Sequence, residues 1–155
     1  MDKKMFCFQC EQTIGCAGCT GNSGVCGKKA DTARLQDELT GALIGLARAV
    51  DSTTAISKRT GQVIIEGLFT TVTNVNFDDV SIENMIQKVR AEKERLVPDC
   101  SKGQSPYGKT GEYDMQQLWN ANEDIRSLKS LILFGIRGMA AYAYHANVLN
   151  YEDTE

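Results

Sequence analysis

Asp31-Thr32-Ala33-Arg34-Leu35-Gln36-Asp37-Glu38-Leu39-Thr40-Gly41-Ala42-Leu43-Ile44-Gly45-Leu46-Ala47-Arg48-Ala49-Val50 is the stretch that decides the fold class. Leu35, Leu39, Ala42, Leu43, Leu46, Ala47 and Val50 recur at three- and four-residue intervals, which puts them on one face of a helix. Asp31 or Thr32 is the expected cap, and the Asp31 carboxylate suits the positive end of the helix dipole.

The same period continues outward. A second helix is expected from about Thr60 to Val75, through Val63, Ile64, Leu68, Val72 and Val75. Its β-branched content admits a strand, but the spacing and length favour a helix. A third starts near Asp78 or Ser81 and buries Ile82, Met85, Ile86, Val89 and Leu96. Lys88, Arg90, Glu92, Lys93 and Glu94 fall largely outside, and Pro98 ends the run. Residues 98–117 hold both prolines with Gly103, Gly108 and Gly111 and read as a surface loop. A last helix is expected from near Asn120 or Asn122 to about Val148, with Ile125, Leu128, Leu131, Ile132, Ile136, Met139 and Ala143 as its buried stripe. Gly135 and Gly138 inside it each cost about 1 kcal/mol relative to alanine, which close packing by another backbone would make tolerable. The reading is all-α: a helical bundle of about four helices over residues 31–155, with a cysteine-rich loop over residues 1–30, together one domain.

The 155 residues are enough for one sizeable core, and 42% hydrophobic with 24% charged is the balance of a globular protein. A net charge of −3 without a basic block gives no support for a nucleic-acid partner. No run is long enough to span a bilayer, and Cys7 arrives before a signal-peptide core could form, so the expected location is the cytoplasm.

In a reducing compartment the six cysteines point to metal or redox chemistry rather than to a disulfide framework. Cys7, Cys10, Cys16, Cys19 and Cys26 crowd one short stretch, while Cys100 stands apart. Gly15, Gly18, Gly21, Gly24 and Gly27 recur among them and let the backbone come close to whatever the thiols enclose. Cys7 with Cys10 and Cys16 with Cys19 are both Cys-x-x-Cys pairs, a spacing that delivers thiolates to a soft metal. Five thiols for four positions leave one spare. On spacing alone an iron–sulfur cluster and a four-thiolate zinc site both stay open. Lys28 and Lys29, at the start of the first helix, would favour an anionic group beside free backbone N–H donors, or be solvated.

These residues carry a resemblance. Met5-Phe6-Cys7-Phe8-Gln9-Cys10-Glu11-Gln12-Thr13, Gly18-Cys19-Thr20 and Gly24-Val25-Cys26-Gly27-Lys28 closely resemble the N-terminus of the hybrid cluster proteins, or hydroxylamine reductases. Leu35-Gln36-Asp37-Glu38-Leu39, Asp124-Ile125-Arg126-Ser127-Leu128-Lys129 and Phe134-Gly135-Ile136-Arg137-Gly138-Met139-Ala140-Ala141-Tyr142 extend it over most of the chain. The resemblance implies a 4Fe-4S cluster, with 2Fe-2S as the alternative at the same site. Matched residue by residue, its ligands are Cys7, Cys10, Cys19 and Cys26, and Cys16 is the spare. It also implies that this cluster passes electrons to a hybrid iron–sulfur–oxygen cluster, which reduces hydroxylamine to ammonia or nitric oxide to nitrous oxide. In the family that second cluster is held by His, Glu and Cys residues far downstream, whereas this chain offers only His145 and Cys100 beyond its loop. The expectation is the N-terminal domain of a longer architecture, inactive by itself. Its partners would be the remaining domains or an electron-donor protein, with homo-oligomers through exposed apolar faces. Two other functions compete: a free-standing electron-transfer or redox-sensing protein, and a structural zinc module.

The remaining conspicuous residues have plain readings. His145 is a packing or surface residue, Cys100 an inert thiol, and Asp78-Asp79 a helix start. Trp119 and Tyr113 are expected to pack near the start of the last helix.

Overall fold

The computed structural model describes residues 4–10, 17–51, 56–73, 75–97, 104–105, 108–109 and 111–151. Cys16, Cys100, Pro98 and Pro106 lie outside them. Among the described residues there are five helices: α1 (Ala30–Asp51), α2 (Lys58–Thr70), α3 (Asp79–Leu96), α4 (Met115–Trp119) and α5 (Glu123–Val148). Two strands, β1 (Gln104–Ser105) and β2 (Gly108–Lys109), form a minimal antiparallel ladder. The architecture is all-α, as the periodicity predicts.

The core lies between α1, α2 and α3. Leu35, Leu39, Ala42, Leu43, Leu46 and Val50 of α1 meet Val63 of α2 and Ile82, Met85, Ile86 and Val89 of α3. Caps set the boundaries. The Thr60 amide donates to Ser57 Oγ (3.2 Å) and the Val80 amide to Asp78 Oδ1 (3.1 Å), so α2 starts before Thr60 and Asp78 is a cap. At α1 the expected caps are displaced: the helix begins at Ala30, and the Thr32 hydroxyl donates to Asp79 Oδ1 (2.6 Å), joining α1 to the head of α3.

Three expectations are corrected. Residues 98–117 are not loop throughout, since they contain β1, β2 and the head of α4. Tyr113 lies on α1, where its amide donates to the Gly41 carbonyl (3.1 Å) and Arg48 stands over its ring. Glu92 is buried rather than outside: it accepts from Thr60 Oγ1 (2.7 Å) and Arg95 and pairs with Arg59 (3.0 Å). A carboxylate can sit there because three donors replace its water.

Those donors, Arg95 foremost, hold the Glu92 carboxyl down at about 2, against 4.5 ordinarily. A depressed carboxyl adds stability above its unfolded value and loses it as the pH falls from about 4.5 towards 2. Discounted for its solvent-exposed arginine partners, the contribution is on the order of 2 kcal/mol. Glu92→Gln should therefore flatten the acid limb of stability, followed by circular dichroism in urea between pH 5 and pH 2 on an order-of-magnitude scale of ~2 kcal/mol. An unchanged acid limb would contradict this account.

The largest correction concerns α5. Of its expected stripe, Ile125, Leu128, Leu131, Ile132, Ile136 and Met139 are exposed, and Ala143 is half-buried. The buried residues are Arg137 and Ala140. The helix packs against α2, with the Phe69 and Tyr144 rings stacked at 4.3 Å, and its most apolar face points away from the bundle. Gly135 and Gly138 have nothing within 4 Å of an added Cβ, so no backbone of the described chain packs against them.

Candidate functional site

The cysteine loop is built on a short backbone pairing. The Cys7 amide donates to the Cys19 carbonyl (3.1 Å) and the Cys19 amide to the Cys7 carbonyl (2.7 Å), an isolated antiparallel bridge that sets the two residues side by side. Gly18 permits it. Its φ is +79°, and an added Cβ would stand 3.0 Å from the Phe6 ring and 3.2 Å from the Cys7 carbonyl oxygen. Further on, the Gly27 amide donates to the Gly24 carbonyl (2.8 Å), closing a turn that presents Val25 and Cys26 outward. A Cβ on Gly24 would stand 3.4 Å from Cys26 Sγ, so this glycine keeps the space beside that sulfur clear.

Aromatic packing holds the loop to the helices. Phe6 and Phe8 enclose Trp119 at the end of α4, with ring centroids at 5.1 and 5.0 Å, and Arg126 of α5 lies over the indole at 4.6 Å. Trp119 thus packs at the start of the last helix, as its position suggested.

Against the loop runs a buried polar string of which the sequence reading singled out only Lys28. Gln9, between Cys7 and Cys10, turns inward and donates from Nε2 to the Ala33 carbonyl (3.0 Å) and to Asp37 Oδ1 (2.7 Å). Lys28 is only 2% exposed and donates from Nζ to Gln9 Oε1 (2.7 Å). Arg137, 3% exposed, donates to Thr71 Oγ1 (3.1 Å) and Thr40 Oγ1 (3.0 Å), tying α5 to α2 and α1. Lys28 is therefore not solvated. Two signals were available, the polar residue inside the Cys-x-x-Cys pair and the arginine between two glycines.

Burial pushes the Cys7 thiol up; a hydrogen bond from the Gln9 backbone and the Lys28 charge pull it back in part. Burial also raises Asp37 to about 6, opposed by Gln9, Arg137 and Lys28, and lowers Arg137 to about 10, opposed by Asp37 and Cys7. A buried thiol held up by desolvation is released to thiolate by a metal ligand bond, which supplies the missing positive charge.

Cys7, Cys10, Cys19 and Cys26 are all free thiols, Cys7 buried, Cys10 and Cys19 half-buried and Cys26 exposed. Among the described residues, no three His, Cys, Asp or Glu side chains are gathered closely enough to hold a metal ion. The backbone brings Cys7 and Cys19 together and places Cys26 on its own turn. The donor set suits a soft, thiolate-bound group, and two buried cations behind it suit one that is anionic. A cleft of about 480 Å³ between α1 and the 112–116 segment has no cysteine in its lining, and its Glu38 and Glu112 already bind Arg90. His145 is exposed with its ring against Phe69, as a packing residue should be. No helix among the described residues is long and apolar enough to cross a membrane.

The profile of the Prismane/CO dehydrogenase family matches residues 5–155. Proteins named hydroxylamine reductase are similar over nearly the whole chain: 38% identical in Clostridium perfringens, 40% in Methanococcus vannielii and 39% in Porphyromonas gingivalis. The matches cover 97%, 97% and 100% of this chain and 31%, 31% and 32% of those relatives. The chain thus spans about a third of their length. No solved structure matches.

Proposed function

The chain belongs to the Prismane/CO dehydrogenase family, and from that premise we propose that it is the iron–sulfur, electron-entry part of a hydroxylamine-reducing system. The observation that supports this best is the pairing of Cys7 with Cys19 on a loop that also carries free Cys10 and Cys26, with buried Lys28 bonded to Gln9 between the first two thiols. In this reading Cys7, Cys10, Cys19 and Cys26 hold the cluster, of 4Fe-4S type. Such a cluster, when bound, accepts and passes on single electrons.

The chain's own residues do the holding. Gly18 and Gly27, at positive φ, shape the loop, and the Gln9 backbone hydrogen bond tempers the Cys7 sulfur. Phe6, Phe8 and Trp119 cover one side of the loop with apolar surface. Reduction of hydroxylamine or nitric oxide then falls to a hybrid cluster on ligands supplied elsewhere. The exposed face of α5 is the surface offered to that remaining part, and in isolation it pairs with a second copy.

Protein purified without oxygen should contain about four iron and four sulfide per chain and absorb broadly in the visible. Cys7→Ser should lose most of both, and the parent chain should leave hydroxylamine unreduced. About two of each would select the 2Fe-2S alternative. Tightly held zinc without sulfide would overturn the reading, and enzyme-like turnover by the chain alone would overturn its division of labour.

A further inference from the structure

Lys28 and Arg137 are the two most deeply buried cations among the described residues, Lys28 bonded to Gln9 of the cysteine loop and Arg137 to Thr71 and Thr40. Their hydrogen-bond partners are neutral: the Gln9 amide oxygen for Lys28, the Thr71 and Thr40 hydroxyls for Arg137. Among the described residues one half-buried carboxylate, Asp37, reaches Lys28 through Gln9, from which it accepts a hydrogen bond. Among the described residues, two buried positive charges thus have one neighbouring negative charge, Asp37. Burying a cation without a counter-charge is expensive, so such an imbalance marks a place where another anionic group belongs. The Lys28 charge acts on Cys7, and Lys28 is bonded to Gln9, seated between Cys7 and Cys10.

We propose that Lys28 sets the reduction potential of a cluster held by the cysteine loop, Gln9 positioning it and Asp37 acting as its counterweight. The inference rests on the cluster reading above and adds to it the residues that tune the electron. Reduction adds one negative charge to a group that is already anionic. Buried positive charge behind it stabilises the reduced form more than the oxidised form and so raises the potential, while buried negative charge lowers it. The low dielectric beneath the loop leaves these charges little screened by salt. Lys29, exposed and one residue away, should have little influence by the same reasoning.

The test is a redox titration of the oxygen-free protein followed by electron paramagnetic resonance, with iron and sulfide measured on every sample. It is run well above the pH of about 6 at which Asp37 takes up a proton. Lys28→Met should keep its iron and sulfide and become at least about tenfold harder to reduce, a fall of about 59 mV for one electron. Lys28→Arg should stay near the parent, and Asp37→Asn, which preserves an acceptor for Gln9, should move the other way. If Lys28→Met cannot hold iron, the upward shift of Asp37→Asn and the silence of Lys29→Met decide the matter. An unchanged potential in Lys28→Met with its cluster intact would overturn the inference, as would Asp37→Asn moving downward. So would Lys28→Arg falling as far as Lys28→Met, because packing rather than charge would then be at work. A parent chain without iron and sulfide would instead overturn the cluster reading beneath it.

Discussion

Gly41→Ala should destabilise the protein by about 3 kcal/mol or more, although it replaces a glycine inside a long helix. In a solvated helix that change gains about 1 kcal/mol from propensity. At Gly41 the added Cβ would stand 2.2 Å from the Tyr113 carbonyl oxygen and 3.3 Å from its carbon, both backbone atoms that no rotamer change can move. The 113 segment would have to lift away, breaking the hydrogen bond from its amide to the Gly41 carbonyl. That segment leads into α4, which brings Trp119 to Phe6 and Phe8, so the cysteine loop should loosen as well. Gly61 in α2 is the control: nothing lies within 4 Å of its Cβ, and Gly61→Ala should stabilise by about 0.5–1 kcal/mol. Thermal unfolding separates the two, at roughly 2–4 °C per kcal/mol for a domain of this size. Equal melting temperatures would mean that the 111–113 segment does not press on α1.

Helices α1 and α3 were legible in the sequence because each buries one face in one core. Leu35, Leu39, Leu43 and Leu46, and Ile82, Ile86 and Val89, are inward residues that apolar spacing alone identifies. The cysteine loop was legible for a different reason: thiols at Cys-x-x-Cys spacing announce chemistry without any periodicity. What could not be read was the support beneath it. Gln9, Lys28 and Arg137 are polar residues that become interior, and Asp37 one that is half-buried, because each finds a partner across 19 to 97 residues of chain. A hydrophobic pattern scores them as surface. Glu92 was misplaced for the same reason, since Thr60 supplies its oxygen partner from another helix.

α5 shows how a correct helix can be given the wrong face. Ile125, Leu128, Ile132, Gly135, Met139 and Tyr142 alternate in steps of three and four, an apolar seam of the kind that packs between helices. A second seam of the same spacing, Ser130, Leu133, Arg137, Ala140 and Tyr144, runs along the opposite side and is far less apolar. The bundle uses this second seam, because Arg137 reaches the Thr40 and Thr71 hydroxyls there and Tyr144 meets Phe69. Reading apolar content as inward therefore reverses the helix. A helix that is anchored through a polar seam and leaves an apolar one exposed is one that expects a further neighbour.

At rising concentration the isolated chain should therefore associate into dimers or larger species through α5, and Leu131→Lys with Met139→Lys should hold it at the mass of one chain. Met139 is 72% exposed and Tyr142 83%, with Leu131, Ile132 and Ile136 beside them, a continuous apolar strip rather than scattered residues. Gly135 and Gly138 leave the backbone bare along it, so a second helix can approach closely, and the deficit of about 1 kcal/mol per glycine is recovered on contact. Hydroxylamine reductases that match this chain over about a third of their length have ample further chain to lay against such a strip. The lysines project from the outward seam and touch none of the Arg137 contacts, so the helical circular dichroism and the iron content should be unchanged while association is lost. Light scattering after gel filtration, across a hundredfold range of concentration on the order of micromolar to tenths of millimolar, measures it. A parent chain that stays at one mass throughout would remove the self-pairing. Association that survives both lysines would move it to another surface.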